Sequence, residues 1–213
     1  MILESETILN KGYSHLLTFE AGQGGYEWFG DDPGHEALTA YGLMQFHEMK
    51  DVISVDDGMI NRVTEWVLSK RDGKGSFSLK SNGLDSFSSP PQHLSDSYIL
   101  WVLTTLGQIG DLSREITKMI DLVTSEPDPY HTALAALTLQ NEGRDDEADK
   151  LLKILSNQQD KDGCVKGSKT SITRSSGRSL DVETTALATL AFMNSTKYGA
   201  EADLGVEYIV SSV

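Results

Sequence analysis

The sequence predicts an all-α fold whose helices lie in two layers, and three observations lead to it. Apolar residues recur at the 3.6-residue helical period along the chain, whereas period-2 runs rich in Val, Ile and Thr are scarce. Segments that are apolar and small on every side alternate with segments charged on one face. A short glycine-bearing turn also recurs after the charged segments, as repeated helical hairpins would require.

The pattern accounts for about nine helices. The first covers residues 5–19, with Ile8, Leu9, Tyr13, Leu16 and Leu17 on one stripe, and the Gly-rich turn at residues 22–25 ends it. The second begins after Asp31-Asp32-Pro33, where a carboxylate caps free N–H groups and Pro fits the first turn, and it runs through Leu38, Tyr41, Met44 and Phe46. A third, over residues 56–70, follows an acidic start. Residues 71–92 are then Gly/Ser/Pro-rich without helical period, a length of irregular chain that often carries function.

Later helices read as residues 94–109 with Asp96 in the first turn, then 113–124, 129–142, 145–158, 180–195 and 200–213. Residues 160–179 are irregular. Residues 37–46, 98–106, 132–139 and 184–192 are apolar all round and form the inner layer; residues 60–70, 116–123 and 148–155 are amphipathic and face water. Leu68-Ser69-Lys70-Arg71-Asp72-Gly73, followed by Ser76-Phe77, is echoed by the run from Leu155 to Asp162-Gly163. An Asp-Gly turn supplies the left-handed conformation that stops a helix.

With 213 residues, 38% of them hydrophobic, the chain is read as a single domain, 1–213. Its formal net charge of -14, from 32 acidic against 18 basic residues, opposes nucleic acid and anionic membrane as partners. The one cysteine, Cys164, allows no internal disulfide and no cysteine metal cluster. The start, Met1-Ile-Leu-Glu-Ser-Glu, has no basic region or long apolar run of a secretory signal, and no later stretch approaches the roughly 18 apolar residues of a membrane span. A cytosolic protein and a piece of something longer both satisfy these bounds.

Leu9-Asn10-Lys11-Gly12-Tyr13, Gly25-Tyr26-Glu27-Trp28-Phe29-Gly30 and Glu36-Ala37-Leu38-Thr39-Ala40-Tyr41-Gly42-Leu43 resemble consecutive segments of the thioester-containing domain of the α-macroglobulin and complement proteins. The run from Asp72 to Phe77 and Asp181-Val182-Glu183-Thr184-Thr185-Ala186-Leu187 are similar to that family too, and the order is the family's throughout. The resemblance implies an α/α toroid of alternating inner and outer helices that shelters an internal thioester. Nucleophiles on a protease or a target surface attack that thioester once the parent chain is cleaved. It implies the remainder of a parent macroglobulin chain as partner, an extracellular or periplasmic location, and no cofactor.

One departure is decisive. The Cys-Gly-Glu-Gln motif that forms the thioester is absent, and Cys164, followed by Val165-Lys166-Gly167 in a late loop, is not its cysteine. The family's motif precedes the segment resembling Leu9 to Tyr13, and a last helical hairpin follows the segment resembling the final helix. The chain therefore reads as an incomplete toroid from a larger protein or as a homologue without its thioester, and as no enzyme by itself. By the resemblance, Tyr26, Trp28, Phe29 and Glu36 are candidates for the thioester pocket; the aromatics equally suit a plug at the end of a toroid. In complement forms that favour hydroxyl targets, a His stands eight residues after the turn's Phe. Counting from Phe77 puts Asp85 there, which implies preference for amines because a carboxylate does not accept and pass on the acyl group as imidazole does.

Other chemistry is weaker. His35-Glu36 begins like a zinc-protease motif, but position 39 is Thr39 rather than the second His, so no metal site is expected. Asp31, Asp32, Glu36, Asp56 and Asp57 suit the paired carboxylates of an α/α-toroid carbohydrate enzyme, with Asp31 and Glu36 as the pair, and suit helix N-termini, where negative charge gains about 0.3–1 kcal/mol. A non-covalent protein-binding toroid is the remaining alternative.

Overall fold

The structure, a computed structural model, describes residues 2–79, 90–107 and 110–212, and the side chains from residue 5 onward. Its described elements are helices: α1 (Ile2–Leu17), α2 (Glu36–Met49), α3 (Asp57–Leu68), α4 (Gln92–Leu106), α5 (Ser113–Ser125), α6 (Pro129–Asn141), α7 (Asp145–Gln158), α8 (Gly177–Met193) and α9 (Gly199–Ser212). The predicted all-α class holds. Two compact units divide the chain, Met1–Ser89 and Pro90–Val213.

In the first unit α2 packs on α3, and α1 joins them through Tyr13. The Tyr13 ring meets Phe46 edge-on at 5.9 Å, and its hydroxyl accepts the Asp56 N–H at 3.1 Å. Asp56 caps α3 by accepting the Gly58 N–H at 2.8 Å. The start of α2 is a correction: Pro33 is outside the helix, and His35 is the cap, its Nδ1 accepting the Leu38 N–H at 3.2 Å. The reason is tertiary, because the His35 N–H is already committed to the Tyr26 carbonyl at 2.8 Å and that tie fixes where the helix begins. Asp31 and Asp32 therefore sit in the turn before α2, and Asp32 accepts the Gln23 N–H at 2.8 Å instead of capping a helix.

In the second unit α4, α6 and α8 lie side by side, with α5 and α7 packed outside them and α9 against α8. Every residue of α6 from Pro129 to Leu139 is buried. Its Ala, Thr and Leu sequence lets neighbours approach from all sides, as the absence of a polar face predicted. Asp128 caps it through the His131 N–H at 3.1 Å, with Pro129 as the first helical residue. By contrast α5 and α7 bury one stripe each: Ile116, Met119 and Val123, and Ala148, Leu151, Leu152 and Leu155. Helix α4 begins two residues before the predicted start, so Asp96 lies beyond the first turn, where it is buried and accepts from Gln92 Nε2 at 2.8 Å.

The recurrent turn is a defined structural unit that occurs three times among the described residues. After α1, α3 and α7 an isolated antiparallel bridge closes a seven-residue unit: Glu20 with Tyr26, Arg71 with Phe77, and Gln159 with Val165. In each, the N–H one residue past the first bridge residue donates to the carbonyl one before the second: Ala21 to Gly25, Asp72 to Ser76 and Asp160 to Cys164, at 2.8, 2.9 and 2.8 Å. The fifth residue of each unit is a glycine at φ +93, +90 or +88°, namely Gly24, Gly75 and Gly163. The sequence echo therefore needs a register correction. Gly163 matches Gly75 rather than Gly73, and the copy at residues 20–26 lacks an Asp-Gly pair to reveal it.

Candidate functional site: the two clamped loops

Four of the sequence candidates lie on the loop between α1 and α2 or just after it. Tyr26 is buried, its ring centroid 5.4 Å from Phe46, and its backbone N–H donates to Thr39 Oγ1 of α2 at 2.8 Å. Burial raises the Tyr26 phenol above its usual range, with the Glu20 carboxylate adding to the shift. Trp28 and Phe29, by contrast, stand 61% and 69% exposed at the loop's tip. The Glu27 carboxylate accepts the Phe29 N–H at 2.9 Å and shapes that tip.

Trp66 of α3 sets the position of the loop. Side chains added at Gly24 or Gly25 would come within 2.6 Å of its ring, and one at Gly34 within 3.0 Å, so the glycines let the backbone lie directly on the indole. Lys70 Nζ lies over the ring, 4.2 Å from its centroid. Glu36 is buried in the first turn of α2, whereas Asp31 is exposed, so these two carboxylates occupy different surroundings. Asp85, the nucleophile-selectivity position, lies outside the described residues.

The loop between α7 and α8 was not singled out as a site by sequence, yet it is as firmly tied. Val165 repeats the Tyr26 arrangement: its N–H donates to Thr185 Oγ1 at 2.9 Å, and the hydroxyl returns to the Val165 carbonyl at 3.3 Å. Asp181 accepts the Gly167 N–H at 3.1 Å, and Glu183 Oε1 accepts the hydroxyls of Thr173 and Ser175 at 2.5 and 2.6 Å. The Asp181-Val182-Glu183-Thr184-Thr185 run is thus a clamp in which Asp181, Glu183 and Thr185 bond to one loop. Helix α6 adds two ties, from the Ser168 hydroxyl to Asp128 and from the Ile172 N–H to the Tyr130 hydroxyl at 3.2 Å.

The same end of α6 carries a buried imidazole. His131 Nε2 lies 2.7 Å from Ser97 Oγ, and the His93 ring is 5.3 Å away, centroid to centroid. Because the Ser97 hydroxyl also donates to the His93 carbonyl at 2.8 Å, His131 donates its Nε2 proton to Ser97. Burial pushes His131 down to about 4, with His93 and Lys169 acting in the same direction and Asp128 opposing them. The pairing spans 34 residues of sequence, and only the packed fold reveals it. Among the described residues no cluster of three or more His, Cys, Asp or Glu is arranged to hold a metal ion, and no helix is long and apolar enough to cross a membrane.

Helical hairpins joined by repeated clamped loops, with small-residue helices buried on all sides, define an all-α domain of the macroglobulin thioester type. The family model of the A-macroglobulin TED domain matches residues 4–210, and the chain belongs to that family.

Proposed function

We propose that this chain acts as the thioester-domain portion of a larger macroglobulin or complement-like protein, one that traps proteases or tags surfaces by covalent attachment. The observation that carries this reading is the family match over residues 4–210. The residues in hand supply scaffold rather than acyl donor, because no Cys-Gly-Glu-Gln occurs among the 213. The chain is accordingly not an enzyme by itself. Its partners are the rest of the parent chain and the nucleophiles of proteases or target surfaces, and its setting is extracellular or periplasmic.

In this reading a nucleophile adds to the acyl carbon of the parent's thioester and the cysteine thiolate leaves, so each attachment releases one thiol. Tyr26 fixes the base of the loop from α1 to α2, and Trp28 and Phe29 at its tip are the aromatics available to cover the thioester. With Asp85 at the selectivity position, attack by amines is favoured over attack by hydroxyls. Incubating the parent protein with an active protease tests this. The expected product is a protease adduct that survives denaturing electrophoresis and hydroxylamine, as an amide does. Adducts cleaved by hydroxylamine would overturn the amine preference, and absence of any adduct would overturn covalent trapping.

A further inference from the structure

The loop from α7 to α8, with the first turn of α8, has a charge opposite to that of the chain as a whole. Residues 161–180 contain five cations, Lys161, Lys166, Lys169, Arg174 and Arg178, against one carboxylate, Asp162, within a chain of net charge -14. Two cations are engaged locally, Lys166 with Asp160 at 2.6 Å and Lys169 with Glu126 at 3.3 Å. Arg174 and Arg178 are exposed, and among the described residues neither is paired with a carboxylate. Arg174 also holds φ +59°, the left-handed region that a long side chain rarely adopts.

The backbone there is not free to collapse onto its own carboxylates. Asp181 and Glu183 are occupied in clamping residues 167–175, and the Arg174 N–H donates to the Ser171 carbonyl at 3.0 Å. The clamp thus fixes the loop around the exposed Arg174, and one N–H of the exposed Arg178, in the first turn of α8, donates to the Ser212 carbonyl at 3.2 Å, with the exposed residues Ser176 and Ser179 beside them in sequence. Fixing such groups in advance lowers the ordering cost of a partner. Guanidinium also favours carboxylate, which it can bind through two parallel hydrogen bonds.

We propose that residues 168–179 form a docking surface for an acidic polypeptide segment, whose carboxylates pair with Arg174 and Arg178. A short segment suits the charge distribution better than a long polyanion. Screening confines exposed charges to about 8–10 Å, so a short peptide meets only the cationic loop, whereas extended DNA or heparin would also meet the acidic remainder of the surface.

Fluorescence anisotropy of a labelled octaglutamate peptide against the whole chain at about 0.1 M salt, where the screening length is about 10 Å, tests the proposal. Saturable binding is expected, weakened at least about tenfold by R174E/R178E and unchanged by K11E, a charge reversal of the same kind on exposed α1. R174G guards against misfolding, since glycine accepts the left-handed backbone; it is expected to retain the circular-dichroism spectrum and melting temperature while still losing affinity. E183Q is expected to raise hydrogen exchange over residues 168–176 and weaken binding together. No binding by the parent sequence, equal loss with K11E, undiminished binding by R174G, undiminished binding by E183Q despite raised exchange, or tighter binding of heparin or duplex DNA than of the peptide would overturn the proposal.

Discussion

The loops leading into α2 and α8 share one backbone device and put different chemistry on it. Each closes an antiparallel bridge behind a helix, turns on a positive-φ glycine, Gly24 or Gly163, and returns its second bridge residue to a threonine of the following helix, Thr39 or Thr185. The first loop then lies on an indole, fits through glycines and shows aromatic rings. The second is held by the carboxylates of Asp181 and Glu183 and shows cations. The lesson is that the repeated unit fixes where a loop stands, while the residues that anchor it to its neighbours decide what it shows.

The largest effects are expected at the glycines of these turns. A side chain at Gly163 would meet the Leu204 carbonyl at 2.0 Å as well as carry φ +88°, whereas Gly73 has φ +70° and open space around it. Gly163→Ala is expected to cost about 3 kcal/mol or more, from overpacking and strain together, and Gly73→Ala about 1 kcal/mol. Urea unfolding of both variants checks this; equal losses would mean that the positive φ alone matters.

Acid sharpens the account of the second unit. The unfolded imidazole titrates near 6.5 and burial pushes His131 down to about 4, so the folded state favours the neutral ring. Its contribution is complete above about pH 6.5 and is lost as pH falls through 4, by roughly 3 kcal/mol at most. Hydrogen exchange over α4 and α6 is expected to quicken toward pH 4 after correction for the intrinsic rate. His131→Gln is expected to flatten that dependence, and an unchanged slope would contradict it.

Removing the shared hydroxyl compares the loops directly. Thr39→Val and Thr185→Val each leave a buried N–H without its acceptor and are expected to cost about 1–3 kcal/mol apiece, similar in size, by thermal or urea unfolding. Smallest of all is the exposed bidentate pair of Arg62 with Glu20, at 2.9 and 2.8 Å; Arg62→Met is expected to change stability by less than about 1 kcal/mol, and less again in high salt.

Periodicity made most of the fold legible. The bounds of α7 coincide with the predicted 145–158, because three acidic residues and an apolar stripe mark that helix locally, and the all-round apolar sequence of α6 announced its burial. The start of α2 was displaced by a bond from His35 to Tyr26 that no local signal carries. The loop repeat was visible in two of its three copies and in the wrong register, since its geometry depends on a positive-φ glycine rather than on the Asp-Gly pair. Of the candidate site, Tyr26, Trp28 and Phe29 emerged as a group, but the core position of Tyr26 and the exposure of the other two depend on packing against Phe46 and Trp66. The clamp role of Asp181, Glu183 and Thr185 needs contacts as much as 20 residues apart, beyond the reach of any short motif.

The most direct test of the central claim is the intact mass of the undamaged parent protein before and after methylamine, with thiols titrated in parallel. Uptake of one methylamine with release of one thiol is the predicted result and makes this domain part of a covalent trap. No uptake and no new thiol would contradict that account and leave a domain that meets its partners only through non-covalent surfaces.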